Sequence, residues 1–251
     1  MTTIISIHSF RGGTGKSNTT ANLTALLAAE GYRVGVFDTD IQSPGIHVIF
    51  GLADEEIGPS LNTFLRGECE IEDAIYEVTD RLGAPVSGRV FLIPSSVKAS
   101  EIARVLREGY DPGTLNEGFQ RAARALDLDV LLIDTHPGLN EETLLSIAIS
   151  DTLLIILRPD QQDYQGTSVT VDVANSLEVP RLLLLVNKVP QSYDTELVRR
   201  RVEETYRATV AAVLPHSDEL MALASTGIFA LRFPDHPLTA LYRQVAARLM
   251  A

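Results

Sequence analysis

Phe10-Arg11-Gly12-Gly13-Thr14-Gly15-Lys16-Ser17 separates a strand-like run, Thr3–His8, from a long helical one, Ser17–Glu30. A strand, a glycine-rich turn and a helix opening on Lys-Ser are the parts of a phosphate loop. Glycines let main-chain N–H groups converge on phosphate oxygens, the helix N-terminus adds positive potential, Lys16 supplies a point charge and the Ser17 hydroxyl can ligate Mg²⁺. The residues expected around a nucleotide are Gly12, Gly13, Thr14, Gly15, Lys16, Ser17 and the following Asn18. The usual pattern G-x-x-x-x-G-K-[ST] fails at its first position, where Phe10 replaces the glycine.

Outward from this loop, short aliphatic or β-branched runs alternate with amphipathic stretches. The strand candidates are Thr3–His8, Arg33–Phe37, Val90–Ile93, Val130–Ile133, Thr152–Leu157, Arg181–Val186 and Val210–Leu214. Between them lie helices at Ser17–Glu30, closed by Gly31, and at Leu115–Leu126, Glu141–Ile149, Gly166–Leu177, Thr195–Tyr206 and Leu238–Met250. Residues 54–89 are less regular, with short helices expected at Leu61–Leu65 and Ile71–Tyr76 and an exposed loop at Asp80–Arg89. The alternation predicts an α/β fold: a doubly wound, mostly parallel sheet flanked by helices on both faces, as one domain over residues 1–251.

Composition narrows the class. With 251 residues, 45% of them hydrophobic and 22% charged, the chain can bury a large core, and no apolar run is long enough for a bilayer. The net charge of -12 weighs against general electrostatic binding of nucleic acid. That charge is uneven, because residues 196–251 carry seven arginines against six acidic groups. Lys16, Lys98 and Lys188 are the only lysines. Cys69 stands alone, so neither a disulfide framework nor an intramolecular cysteine cluster is expected. The N-terminus runs directly into a strand without a basic region or cleavage site, and the expected location is the cytoplasm.

Two acidic segments follow strand ends. Asp134, in Asp134-Thr135-His136-Pro137-Gly138-Leu139, ends a buried apolar run, where a carboxylate is costly unless it serves a cation or hydrogen bonds. Asp38 and Asp40, in Phe37-Asp38-Thr39-Asp40-Ile41-Gln42, read by themselves equally as a solvated turn. The histidines have no metal-ligand spacing, and His136 reads as a satisfied loop residue.

Read as basic-Gly-Gly-x-Gly-Lys-[Ser/Thr], the loop resembles that of the ParA/MinD family of P-loop ATPases, a deviant form of the phosphate-binding motif. The Asp38–Gln42 and Asp134–Leu139 segments are similar to the family's switches, and Val186-Asn187-Lys188 to its adenine-reading strand end. Phe91-Leu92-Ile93-Pro94-Ser95-Ser96 and Val213-Leu214-Pro215-His216 match further MinD-like segments. The resemblance spans nearly the whole chain. It implies ATP and Mg²⁺ as cofactors, with Ser17, Asp38, Asp40 and Asp134 around the metal. It also implies that Asp40 positions the attacking water, with Lys16 on the phosphates and Asn187 and Pro215 near the base. Arg11 replaces a lysine that reaches a partner's phosphates across an ATP-dependent homodimer; it either keeps that role in changed geometry or turns into an ion pair. Arg158 is the next basic candidate near that site, with a surface salt bridge as its plain alternative.

The single cysteine disfavours the iron–sulfur members of the wider family, and a C-terminus with only Tyr242 disfavours its tyrosine kinases. The stripe Leu238, Leu241, Tyr242, Val245, Ala246 and Leu249 is expected to pack in the core and not to anchor a membrane. Arg199, Arg200 and Arg201 with Arg207 offer either a non-specific DNA surface or a face salt-bridged to Glu203 and Glu204. The implied function is a positioning ATPase switch with a protein activator or cargo adaptor; its rival is a nucleotide-controlled scaffold with negligible hydrolysis.

Overall fold

Strands buried on both faces need helices on both sides, and the chain supplies them. The computed structural model describes residues 1–251. Its strands are β1 Thr3–His8, β2 Arg33–Asp38, β3 Tyr76–Glu77, β4 Arg89–Ile93, β5 Val130–Asp134, β6 Thr152–Leu157, β7 Leu182–Val189 and β8 Thr209–Pro215. They form one sheet in the order β3-β4-β2-β5-β1-β6-β7-β8, parallel throughout except for β3 against β4. The helices are α1 Lys16–Ala29, α2 Ile46–Ile49, α3 Leu61–Leu65, α4 Ala99–Glu108, α5 Pro112–Ala125, α6 Glu141–Ala148, α7 Gln161–Ser176, α8 Thr195–Tyr206, α9 Asp218–Ala222, α10 Phe229–Arg232 and α11 Pro237–Leu249.

Alternate strand residues fill opposite layers. Ile5, Ile7, Val34, Val36, Leu132 and Leu154 pack with α1, α2, α10 and α11. On the other face, Phe37, Leu131 and Ile133 meet α3 and α5, while Leu153, Ile155 and Leu184 meet α7 and α8. Helix α1 is enclosed between the sheet and α11, so its polar residues must be satisfied internally. The Thr24 hydroxyl donates to the Thr20 carbonyl one turn back, and Asn22 bonds the Asn18 carbonyl and the Ala230 N–H. The α11 residues Leu238, Tyr242, Val245, Ala246 and Leu249 are buried, as core packing requires. No helix is long and apolar enough to cross a membrane.

Several elements differ from expectation. Segment Ile71–Ala74 is a 3₁₀ turn leading into β3, not a helix to Tyr76. Helix α4 occupies a stretch where no element was expected; Ile102, Val105 and Leu106 recur there at helical spacing, although only Val105 is buried. Helix α7 begins at Gln161, ahead of Gly166, because the Asp160 carboxylate caps it by accepting from the Asp163 N–H at 3.0 Å. Within α7, Gly166 faces the loop residue Phe10: a Cβ at 166 would lie 2.1 Å from Phe10 Cδ1. The aromatic ring at the irregular loop position is thus seated on a helix that has no side chain at that point.

The register pairs Ile7 and Asp38 each with Asp134, so β1, β2 and β5 end together at the carboxyl edge of the sheet. This is where open parallel sheets place their sites. His8, the last residue of β1, is fully buried there; Nδ1 contacts Thr135 Oγ1 at 2.8 Å and Nε2 has no partner. Burial, reinforced by the charges of Lys16 and His136, pushes its pKa down to about 3.

Replacing a helical glycine by alanine ordinarily gains about 1 kcal/mol. Here Gly166→Ala drives a methyl into Phe10, and overpacking costs about 1–3 kcal/mol; urea unfolding should show net destabilisation. His8 stays neutral in the fold and charges in the unfolded chain. Its contribution is therefore complete above about pH 6.5 and is lost as pH falls toward about 3. Melting temperatures across pH 3–7 should fall less steeply on acidification for His8→Asn than for the parent.

Candidate functional site

The loop after β1 turns through two left-handed glycines, Gly13 at φ 77° and Gly15 at φ 94°, before α1 begins. Gly15 has a second constraint, since a Cβ there would sit 2.5 Å from Asn187 Nδ2. No N–H group from Gly12 through Ser17 finds a backbone or side-chain acceptor in the chain. These amides line a hollow of about 240 Å³ with Lys16, Ser17, Asn18, Asp40 and Ser43. A row of unpaired amides at a helix N-terminus, beside an ammonium group, is an anion cradle.

Below the loop, Asp134 gathers three groups from α1. Lys16 Nζ lies 3.1 Å from Oδ1, Ser17 Oγ donates to Oδ2 at 2.7 Å, and Thr20 Oγ1 donates to Oδ1 at 2.7 Å. Asp134 is 1% exposed and Lys16 6% exposed, so the pair is withdrawn from solvent screening. Thr20, one turn beyond Ser17, was not singled out by the sequence; a hydroxyl four residues after the lysine on the same helix face was the available signal.

Asp38, alongside Asp134, accepts from the Asp40 N–H at 3.1 Å and the Gly45 N–H at 3.3 Å. Burial, with the charges of Asp134 and Asp40, pushes its pKa up to about 8 against the opposing pull of Lys16. Asp40 behaves oppositely. Burial raises its carboxyl, but the His136 hydrogen bond and the charge of Lys16 outweigh this and hold it below the ordinary carboxylate range. His136 Nδ1 contacts Asp40 Oδ1 at 2.7 Å, while the Ser43 N–H and hydroxyl each reach that oxygen at 3.1 Å. His136 is thus a loop histidine with a hydrogen-bond partner, and that partner is a carboxylate of the other acidic segment.

On the other flank, Asn187 Nδ2 donates to the Thr14 carbonyl and Lys188 Nζ to the Gly13 carbonyl, each at 2.8 Å. Asn187 lies within β7 and not at its end, and Lys188 adopts φ 56°. Asn187, Pro215, Gly15 and Asn18 line a second cavity of about 150 Å³. Gly15 and Asn18 line both spaces, so the two adjoin along the start of α1.

Arg11 turns away from the hollow. Its guanidinium lies 3.4 Å from Asp163 and 3.7 Å from Asp160 at the start of α7. Arg158 holds the same two carboxylates at 3.1 Å and adds a main-chain bond to Asp163. In this single chain Arg11 adopts the ion-paired arrangement of the two weighed from sequence. The basic run in α8 is also divided. Arg199 donates to the Val210 carbonyl at 2.6 Å and pairs with Glu196, and Glu203 accepts from the Val210 N–H. The Arg200–Glu203 and Arg200–Glu204 pairs are not formed, and Arg200, Arg201 and Arg207 stand exposed without ion pairs.

A family profile described as AAA domain matches residues 2–179. An uncharacterized ATP-binding protein of Methanocaldococcus jannaschii is 29% identical over 251 residues, covering all of this chain and 88% of that one. The flagellum site-determining protein YlxH of Helicobacter pylori is 29% identical, over 86% of this chain and 68% of its own. An iron-sulfur cluster carrier protein of Methanococcus maripaludis is 31% identical, over 73% of this chain and 59% of its own. Among solved structures, the cell division ATPase MinD of Pyrococcus furiosus superposes with a TM-score of 0.83 at 22% identity, covering 100% of this chain and 99% of that one. The septum site-determining protein MinD of Pyrococcus horikoshii, complexed with Mg-ADP, gives 0.80 at 23% identity, with 99% and 96% covered. Profile, sheet order and phosphate-loop position agree, and the chain belongs to this AAA-domain family with the fold of the MinD/ParA ATPases.

Proposed function

We propose that the chain binds ATP with Mg²⁺ on the Gly12–Ser17 loop, hydrolyses it, and uses the cycle to close and open a homodimer that positions a cellular cargo. The observation that carries this reading is the unpaired amide row above Lys16, Ser17 and Thr20, all three tied to Asp134. Lys16 and the amides would hold the phosphates, and Ser17, Asp38, Asp40 and Asp134 would surround the metal or its waters. Mg²⁺, when bound, would neutralise phosphate charge. Asp40 would orient the attacking water, its low pKa suiting a positioning role better than that of a strong base. Asn187, Asn18 and Pro215 would meet the adenine. The relatives named for flagellum and septum site determination support a positioning role, and ATP and Mg²⁺ accord with the relatives named as ATP-binding or complexed with Mg-ADP.

Iron–sulfur carriage fits this chain poorly. Such clusters take several thiolates, whereas Cys69 is single and its Sγ lies 3.4 Å from Thr63 Oγ1 beside the α3–α5 core. One observation favours the rival scaffold reading: Arg11, the residue that would reach a partner's phosphates, is engaged with Asp160 and Asp163. Activator, cargo and turnover rate belong to the same proposal. The exposed Arg200, Arg201 and Arg207 are its candidate contacts to DNA without sequence preference.

ATP turnover and light scattering separate the two readings. A switch predicts measurable turnover in the parent, a loss of roughly 100-fold or more in Asp40→Ala, and accumulation of an ATP-dependent Asp40→Ala dimer. Arg11→Ala should retain ATP binding yet fail to dimerise; a monomer with ATP in the parent and Asp40→Ala alike would overturn the switch. For the basic surface, co-sedimentation with plasmid DNA should require ATP and disappear in Arg200→Glu/Arg201→Glu with the dimer intact. Absence of DNA binding by the parent would remove that surface from the proposal.

A further inference from the structure

We infer that His136 is a positioning residue that aims the Asp40 carboxylate at the phosphate loop. The inference rests on the ATPase reading above and assigns a role to a side chain outside the nucleotide-contacting set. Asp40 Oδ1 takes three donors, the Ser43 N–H, the Ser43 hydroxyl and His136 Nδ1, while Oδ2 has no partner in the chain. One oxygen is anchored and the other is left to accept a hydrogen bond in the hollow that Asp40 lines. The three anchors are not equivalent. Ser43 belongs to the same turn as Asp40, so its bonds shape that turn without tying it to another part of the sheet. His136 follows β5 and is the one contact that ties the carboxyl group to another strand of the sheet.

The loop that carries His136 is itself held from several sides. The Thr135 N–H and hydroxyl both donate to the Ile7 carbonyl, at 3.2 and 3.1 Å. Beyond His136, the Gly138 N–H donates to the Ser9 carbonyl at 3.2 Å. The His136 carbonyl accepts from Thr143 Oγ1 of α6, whose N–H is capped by Asn140. Its imidazole is therefore referenced to β1, the root of the phosphate loop, and passes that reference to a carboxylate that starts 96 residues away in sequence. A single short bond from a side chain fixed in this way limits Asp40 to the narrow range of positions that orientation of a reactant demands.

Asparagine can place a side-chain N–H near the imidazole Nδ1 position, whereas glutamine reaches a bond further, and this difference supplies the test. Kinetics on the full chain should show kcat reduced roughly tenfold or more in His136→Ala and His136→Gln, with KM for ATP and melting temperature close to the parent. His136→Asn should recover most of the lost kcat. Imidazole ¹⁵N spectra of the nucleotide-free protein should show a proton on His136 Nδ1 whose resonance moves in Asp40→Ala. Unchanged kcat in His136→Ala, a joint loss of kcat, ATP binding and stability without rescue by asparagine, or a His136 resonance indifferent to Asp40→Ala would each overturn the inference. A parent that binds ATP without any turnover would instead defeat the ATPase reading, and the spectra would still decide whether the contact exists.

Discussion

Everything at the carboxyl edge of the sheet is arranged around the Asp134 carboxylate. An ionised carboxylate at 1% exposure is strongly unfavourable unless compensated by charge and hydrogen bonds. Lys16, Ser17 and Thr20 provide both, and all three come from the first turns of one helix. The interaction therefore joins β5 to α1 and fixes the end of the glycine loop between them. The loop has little choice left: Gly13 and Gly15 take left-handed conformations, and Asn187 and Lys188 hold its carbonyls from the opposite side. With the Gly13 and Thr14 carbonyls engaged there, the loop's N–H groups are left without partners beside the hollow.

The same arrangement concentrates charge. Asp38, Asp40 and Asp134 lie around one ammonium group, and Asp38 bears the imbalance as a pKa pushed up to about 8 by burial and by its acidic neighbours. Asp40 escapes the same fate because His136 and Lys16 compensate its burial.

The fold was largely legible because its decisive features are local. Strand–loop–helix order around Lys16 and the apolar runs at Val130–Ile133 and Thr152–Leu157 need only neighbouring residues to be read. Legibility fails where partners are distant. Helix α4, by contrast, carries a readable signal in Ile102, Val105 and Leu106 at helical spacing, even though only Val105 is buried. The start of α7 could have been found from Asp160 and Asp163, a capping carboxylate three residues before the N–H it accepts from. In the site, residue types were readable while pairings were not. The links from His136 to Asp40 and from Arg11 to Asp163 span 96 and 152 residues, and each depends on a loop geometry that spacing does not encode.

Arg11 shows how magnitudes discriminate where pattern does not. Its side chain is 38% exposed and its two contacts, at 3.4 and 3.7 Å, are long for charged hydrogen bonds. An exposed ion pair of this kind is worth about 0–1 kcal/mol. Arg158 approaches the same carboxylates at 3.1 Å and adds its main-chain N–H to Asp163 at 2.9 Å. Asp163, at 2% exposure, thus keeps a close cation whether or not Arg11 stays. Removal of Arg11 leaves no buried charge unpaired, so its departure carries only the small cost of the outer contact. The ion pair therefore describes the resting place of Arg11 in the single chain and is too weak to hold it there against a stronger anion.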